Sequence, residues 1–182
     1  MDKRALVVVD MQNYFITGED GCLDARKIVP KVVRKINNKR AAGYDIIYLY
    51  DVSDGTLEPY TSDGYRLDSR IEETMRGGDS VIVKTEQRSL DLLAAVMKHD
   101  FQYIELVGLL TDQCVAENAL MIKRDQPHRR VAVDIDCCAG SDGRSTSEAV
   151  RTMADAGIEI RGAGKTPCRR IQNTEEKRAA AY

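Results

Sequence analysis

Three residues whose types suit nucleophilic chemistry stand close to the ends of apolar, strand-like runs. Asp10 and Lys84 each end such a run, and Cys114 follows a third run after a short turn. A carboxylate can take the proton of a thiol, and a nearby ammonium favours the thiolate, which is the nucleophilic form. The carboxyl ends of parallel strands share one edge of a sheet, where open α/β sheets bind ligands. We therefore predict that the three side chains converge on one crevice.

The elements that must position these residues alternate along the chain. Six short β-rich runs, several of them almost continuously apolar, predict strands that are buried on both faces. They are Ala5–Asp10, Tyr44–Asp51, Ser80–Lys84, Tyr103–Val107, Arg130–Asp134 and Gly157–Ile160. Apolar stripes with helical spacing lie between them, and the last helix is predicted to begin at the capping box Ser145-x-x-Glu148 and to stop at Gly157. This order predicts a three-layer α/β/α, Rossmann-like fold with a parallel sheet of about six strands.

The composition indicates the size and the setting of the protein. With 182 residues and 43% hydrophobic content the chain can form one substantial core, so we predict a single domain over residues 1–182 that includes a C-terminal tail, 165–182. The net charge is -2 and basic residues are scattered among acidic ones, which argues against a nucleic-acid partner. The sequence shows no signal-peptide pattern and no apolar run of membrane-spanning length, so we expect a cytoplasmic protein without a membrane partner.

Cys114 differs from the other four cysteines, Cys22, Cys137, Cys138 and Cys168, by its position. The odd number and the lack of a C-x-x-C pair indicate neither a disulfide framework nor a structural zinc site. Cys114 follows a Gly-led turn and opens a helix, where the helix dipole is expected to lower the pKa of a thiol and free N–H groups could hold an oxyanion. The alternative is a buried small residue at a helix start.

Histidine is the usual base beside a catalytic cysteine, but both histidines are predicted at the wrong edge of the sheet. His99 and His128 come just before predicted strands, at the amino edge, whereas the proposed crevice is at the carboxyl edge. The predicted base is therefore Asp10.

These residues together resemble a known family. The segment Asp10-Met11-Gln12-Asn13-Tyr14-Phe15, the lysine at the end of the third run, and the segment Gly108-Leu109-Leu110-Thr111-Asp112-Gln113-Cys114-Val115 are similar to the isochorismatase-like cysteine hydrolases, which include the nicotinamidases. The similarity spans about Ala5 to Gly162. It implies a triad of Asp10, Lys84 and Cys114.

The resemblance also implies the reaction and further site residues. It implies cleavage of a C–N bond in a small amide through a thioester, without a cofactor, in a homo-oligomer such as a dimer or tetramer. The family's non-proline cis peptide would fall at Leu110-Thr111 and direct the N–H groups of Leu110 and Cys114 at the oxyanion. Phe15, Leu110 and Thr111 would contact the substrate, although Phe15 could equally be a core residue under the first loop.

The sequence departs from the nicotinamidases at their metal site. Nicotinamidases carry Asp-x-His after the second strand and a further histidine downstream, whereas this chain has Asp51-Val52-Ser53 and no histidine before His99. One carboxylate and a serine suit zinc poorly, so we predict no catalytic metal, with Asp51 at most capping a strand. A weak hard-cation site at Asp51 and Asp54 is the alternative.

Three functions stay open at this point. The first is a metal-independent amidohydrolase, the second an isochorismatase-type vinyl-ether hydrolase, and the third a binding or regulatory relative without turnover. Cys114 argues against the second, and a retained buried triad argues against the third. The long stretch between Val52 and Gly78 is interpreted as a lid or a subunit contact.

Overall fold

The fold is a six-stranded parallel sheet between two layers of helices, seen in a computed structural model that describes residues 2–18, 21, 23–52 and 63–162. The strands are β1 (Arg4–Val9), β2 (Asp45–Asp51), β3 (Ser80–Lys84), β4 (Tyr103–Leu109), β5 (Arg130–Ala139) and β6 (Glu159–Arg161). The helices are α1 (Asn13–Ile16), α2 (Leu23–Ala41), α3 (Ser69–Glu72), α4 (Leu90–Lys98), α5 (Ala116–Asp125) and α6 (Gly143–Asp155). The predicted fold class is confirmed.

The order of the strands decides which strand ends are neighbours. The sheet runs β3-β2-β1-β4-β5-β6, with each neighbouring pair parallel. The chain therefore reverses its direction of progress across the sheet after β3, and the carboxyl ends of β1 and β4 flank the switch point. Open α/β sheets bind their ligands at such a point.

Both faces of the sheet are apolar because the central strands alternate between two cores. In β1, Val7 and Val9 contribute to one cluster, which also contains apolar residues of α4, α5 and α6. Leu6 and Val8 contribute to the other cluster, with apolar residues of α1, α2 and α3. This burial on both faces explains why β1 reads as a continuous apolar run.

β5 is longer than the sequence predicts. It continues past the expected end at Asp134 to Ala139. β4 and β5 keep a regular register up to Leu106, after which a bulge shifts the pairing and Gly108 lies opposite Cys138. The extra residues of the bulge bring polar side chains into the strand, which breaks the apolar pattern that marks a buried strand.

Helix α6 begins earlier than predicted. Its N-cap is Asp142, whose carboxylate accepts hydrogen bonds from the backbone N–H groups of Arg144 and Ser145. The hydroxyl of Ser145 also donates to this carboxylate, at 2.8 Å. The predicted N-cap at Ser145 is therefore wrong, because the aspartate three residues earlier already satisfies the free N–H groups of the first turn.

Several predictions concern residues that the structure does not describe. Ser53, Asp54, Cys22, Cys168 and the tail 165–182 lie outside the described ranges. Of the helices that the structure describes, none is both long enough and apolar enough to cross a membrane.

Candidate active site

Four polar residues lie side by side at the carboxyl edge of the sheet. Lys84 ends β3, Asp51 ends β2, Asp10 follows β1, and Cys114 follows β4 after a turn. Because β3, β2, β1 and β4 are consecutive in the sheet, the strand order alone makes these residues neighbours. All four are buried, with Asp10 and Lys84 only 2% and 3% exposed.

The ammonium of Lys84 is the centre of this group. Lys84 Nζ lies 2.9 Å from Asp10 Oδ2 and donates a hydrogen bond to Cys114 Sγ at 3.3 Å. It also donates to Asp51 Oδ2, and Cys114 Sγ lies 3.9 Å from the same oxygen. The structure thus brings the three residues singled out in the sequence together, and it adds a second carboxylate. The sequence held one signal for this fourth member, since Asp51 also ends a strand.

Gln12 fixes the backbone of Asp51. Its side-chain Nε2 donates to the Asp51 carbonyl at 3.0 Å, and its Oε1 accepts from the Asp51 N–H at 2.8 Å. Nε2 also donates to the Tyr65 carbonyl at 3.0 Å, so the amide joins the ends of β1 and β2 to the turn Asp63–Tyr65. Sequence reasoning assigned Gln12 no role beyond its place in a motif.

The chain leaves β4 through a tight turn that carries Cys114. Gly108 has a φ of +120°, and a Cβ atom there would come within 2.1 Å of the Val9 carbonyl oxygen, so glycine is required. The peptide bond Leu109-Leu110 is cis. The predicted position Leu110-Thr111 is wrong by one residue, because the chain bends directly at the end of the strand.

Cys114 lies inside a π-helical turn, Thr111–Val115, and α5 begins at the next residue. The Leu110 carbonyl accepts hydrogen bonds from the N–H groups of Gln113 and Val115, both at 3.1 Å. Gln113 has a non-helical conformation, with φ −130° and ψ −107°.

The residues expected to contact the substrate occupy different environments. Thr111 is buried in the turn, at 1% exposure. Phe15 and Leu110 are half-buried and pack against the core cluster under α2. The ring of Phe15 also makes an edge-to-face contact with Tyr14, at 5.2 Å between ring centroids. Phe15 is therefore at least in part the core residue that the alternative interpretation predicted.

Burial dominates the protonation of the site. Burial raises the pKa of Asp10 to about 7, although the neighbouring Lys84 acts in the opposite direction. Burial alone would lower the pKa of Lys84, but Asp10, Cys114 and Asp51 together raise it above its usual value, so the amine stays charged. Burial and the charge of Asp10 raise the pKa of the Cys114 thiol. The expectation of a lowered thiol pKa is wrong, because Cys114 does not begin a regular helix and faces carboxylates.

The same residues fit a metal ion poorly. Asp10, Asp51 and Cys114 each place one oxygen or sulfur atom within 4.8 Å of the others, as a cation site requires. However, the ammonium of Lys84 contacts all three of these side chains, and its positive charge would repel a metal ion bound to them. The set also lacks the imidazole ligands that catalytic zinc sites commonly use. The two histidines, His99 and His128, are exposed and precede β4 and β5 at the opposite edge.

Comparisons with known proteins agree with this architecture. The model of the isochorismatase domain family matches residues 4–163. The pyrazinamidase of Pyrococcus horikoshii in complex with zinc superposes with a TM-score of 0.75 at 21% identity, over 87% of this chain and 98% of that one. The N-carbamoylsarcosine amidase of Thermoplasma acidophilum has a TM-score of 0.74 at 25% identity, over 90% and 98%. Among curated proteins none matches in sequence. The resemblance inferred from the motifs is confirmed.

Proposed function

Because the chain belongs to the isochorismatase family, whose members are hydrolases, we propose that it is a cysteine-dependent amidohydrolase that cleaves the C–N bond of a small amide. The observation that carries the proposal is the placement of the Lys84 ammonium between the Asp10 carboxylate and the Cys114 thiol, with all three buried. A base, a cation and a nucleophile at this spacing supply the parts that acyl transfer through a thioester needs.

The first step is attack by Cys114 on the amide carbonyl carbon. Asp10 takes the thiol proton as the C–S bond forms, since the raised pKa of the thiol keeps this proton in place until then. Lys84 holds the developing thiolate charge. The N–H groups of Leu110 and Cys114 receive the carbonyl oxygen as it becomes an oxyanion.

The second step expels the amine and then releases the acid. Protonated Asp10 gives its proton to the leaving nitrogen as the C–N bond breaks, which leaves a thioester on Cys114. Asp10 then accepts a proton from water, whose oxygen attacks the thioester carbonyl. The C–S bond breaks as protonated Asp10 returns this proton to the departing sulfur, and the products are a carboxylic acid and the restored thiol.

Asp51 has a supporting role in this proposal. Its carboxylate pairs with Lys84 and lies 3.9 Å from Cys114 Sγ, and Gln12 holds its backbone. The ammonium therefore keeps one ionic partner even while Asp10 is protonated during the reaction. This is the chemical reason for two carboxylates beside one lysine.

The structural neighbours and the residues around the triad support a proposal for the substrate class. The structural neighbours include a nicotinamidase of Staphylococcus aureus, 22% identical with a TM-score of 0.74 over 89% of this chain and 100% of that one, beside the pyrazinamidase and the N-carbamoylsarcosine amidase. We infer a small amide or carbamoyl compound bound against Phe15, Leu110 and Thr111. Since the Lys84 ammonium already contacts the Asp10 and Asp51 carboxylates and the Cys114 thiol and would repel a metal ion there, we infer that turnover is independent of a metal.

Ammonia release from a panel of nicotinamide, pyrazinamide and N-carbamoylsarcosine tests the proposal. We expect at least one compound to be hydrolysed by the wild type, also after EDTA treatment, and no hydrolysis by Cys114→Ala. Acid-quenched wild type should show the mass of an acyl adduct on the Cys114 peptide.

A matched control and two contrary results complete the experiment. Cys137→Ala removes a buried thiol in β5, away from the triad, and should leave turnover unchanged. Retained turnover in Cys114→Ala would support a hydrolase that does not use the thiol, such as a vinyl-ether hydrolase. A wild type that binds these compounds without ammonia release would support the binding relative instead.

A further inference from the structure

Asn118 is a buried polar residue of α5 that the proposed mechanism does not use. It lies four residues after Cys114, which places it on the same side of the helix one turn later. The side chain is completely inaccessible, at 0% exposure. A buried carboxamide requires partners for both its NH₂ group and its oxygen.

The partners of Asn118 belong to two different segments of the site. Its Nδ2 donates to the carbonyl of Cys114 itself at 2.7 Å and to the carbonyl of Gln87 at 2.8 Å. Its Oδ1 accepts from the N–H of Ser89 at 2.9 Å. One side chain thus joins the backbone of the cysteine turn to the backbone of the segment between β3 and α4.

The segment held in this way begins directly at Lys84. Within the part of the chain that the structure describes, the bond from Asn118 to Gln87 is the one hydrogen bond to the backbone of residues 85–88. The next residue, Ser89, is the N-cap of α4, with its hydroxyl accepting from the Leu92 N–H at 3.1 Å. A cleft of about 350 Å³ opens along this segment and is lined by Lys84 and its successors.

We propose that Asn118 is a positioning residue that fixes the distance between Lys84 and Cys114 by tying the backbone of Cys114 to the segment that directly follows Lys84. This inference rests on the proposed thiol chemistry. Without the carboxamide, residues 85–88 lose their backbone anchor and the Lys84 ammonium loses its alignment with the thiol. Misplacement of a catalytic group by about 1 Å is enough to slow a reaction on the order of 10²-fold.

A purely structural role would have a different signature. Removing a buried hydrogen bond lowers stability wherever it lies, but it changes the reactivity of Cys114 only if it acts through Lys84. A double-mutant cycle between Asn118 and Lys84 distinguishes a purely structural role from a role that acts through Lys84. Independent effects of two substitutions add, whereas effects on one shared contact do not.

The quantity measured in the cycle is the rate at which iodoacetamide alkylates Cys114 at pH 8. Mass spectrometry of the Cys114 peptide monitors this alkylation. In the wild-type background we expect Asn118→Ala to slow alkylation about tenfold, in line with a misaligned cation. In the Lys84→Met background the same substitution should change the rate less than about twofold, because the contact it supports is already gone.

Two further variants sharpen the cycle. Asn118→Thr can still donate from its hydroxyl to the carbonyl one turn earlier, at Cys114, but cannot reach Gln87 and Ser89, so it should react as slowly as Asn118→Ala. The matched control is Tyr48→Phe, which removes the buried bond between Tyr48 and Thr74, 2.8 Å long and outside the site. It should lower the melting temperature but leave the alkylation rate unchanged in both backgrounds.

Equal slowing by Asn118→Ala in both backgrounds, or a wild-type rate in Asn118→Thr, would overturn the inference. Where Lys84→Met does not give a folded circular-dichroism spectrum, Asp51→Asn serves as the second background, because it removes the other anchor of Lys84. On any amide that the wild type hydrolyses, Asn118→Ala should lower kcat about tenfold with KM within about twofold. Failure of the proposed function is distinguishable, since it appears as retained turnover in Cys114→Ala whatever the cycle gives.

Discussion

Two clusters of buried charge in the same sheet are built in opposite ways. The edge cluster consists of Asp10, Asp51, Lys84 and Cys114, at the carboxyl ends of four strands. The face cluster consists of Glu105 in the middle of β4, Asp134 of β5, Lys35 and Lys39 of α2, and Arg161 of β6. The edge cluster has two carboxylates around one cation, whereas the face cluster has two carboxylates among three cations.

The surplus of cations keeps the Glu105 carboxylate of the face cluster ionised and paired. Burial by itself would raise the pKa of Glu105, but hydrogen bonds from Lys35 and Lys39 lower it overall. Lys35 Nζ lies 2.8 Å from Glu105 Oε1 and also pairs with Asp134, so it bridges the two carboxylates. A carboxylate that is charged at every working pH and paired on both oxygens contributes to the structure and cannot exchange protons with a substrate.

The surplus of carboxylates has the reverse effect at the edge. Among the residues that the structure describes, none makes a well-aligned hydrogen bond to either oxygen of Asp10, although one of these oxygens lies 2.9 Å from Lys84 Nζ. Its pKa, raised to about 7 mainly by burial, allows it to hold or release a proton under ordinary conditions. The comparison teaches that burial alone does not distinguish the candidate site, because both clusters contain buried carboxylates. What distinguishes the edge cluster is its excess of carboxylates over cations.

The largest effect expected from this contrast is the loss of turnover in Asp10→Asn. An amide of the same shape cannot take the thiol proton, so we expect kcat/KM for ammonia release to fall on the order of 10³-fold, within the range for general acid–base catalysis. Glu105→Gln makes the same chemical change in the face cluster and should stay within about twofold of wild type. Comparable losses in the two variants would mean that the clusters do not differ in function.

The next largest effect is on stability, where we expect Glu105→Gln to cost more than Asp10→Asn. Glu105→Gln leaves the half-buried Lys39 without a carboxylate and leaves Lys35 with Asp134 alone, so we expect the free energy of unfolding to fall by about 2 kcal/mol, between the losses for exposed and for buried ion pairs. Asp10→Asn leaves Lys84 paired with Asp51 and replaces a carboxyl group whose charge burial already disfavours, so it should cost less than about 1 kcal/mol. Urea denaturation at pH 7 measures both, and a larger loss for Asp10→Asn than for Glu105→Gln would contradict the assignment.

What the sequence could predict is local in origin. Ser80–Lys84 was identified to the residue because a continuous apolar run ends at a charged side chain, and the strands that end at Asp10 and Asp51 were identified in the same way. Placing chemistry at the strand ends needed only the rule that parallel strands share an edge. The segment around Cys114 added the family.

What the sequence could not predict depends on neighbours that are distant in the chain. The extension of β5 follows from a bulge against β4, and the contact of Asp51 with Lys84 follows from the position of β2 between β3 and β1. The pKa of Cys114 was predicted in the wrong direction because a π-helical turn replaces the regular helix start and burial outweighs the helix dipole. Asn118 gave no signal beyond its spacing from Cys114, since its partners lie before α4.

The smallest expected effect is a change with pH in the stability difference between Asp10→Asn and wild type. In the unfolded chain Asp10 titrates near 3.8, and in the fold at about 7. Between these values the folded state holds a proton that the unfolded state has released, so the stability of the wild type falls as the pH rises through this window.

The asparagine variant lacks this pH-dependent loss of stability. Its melting temperature relative to wild type should therefore increase by about 3 °C from pH 5 to pH 6, which corresponds to roughly 1 kcal/mol. For Glu105→Gln the difference should stay level, because the pKa of Glu105 is lowered and its charge is complete in both states above pH 5. A level difference for Asp10→Asn as well would show that Asp10 carries an ordinary charge and that the two clusters are electrostatically alike.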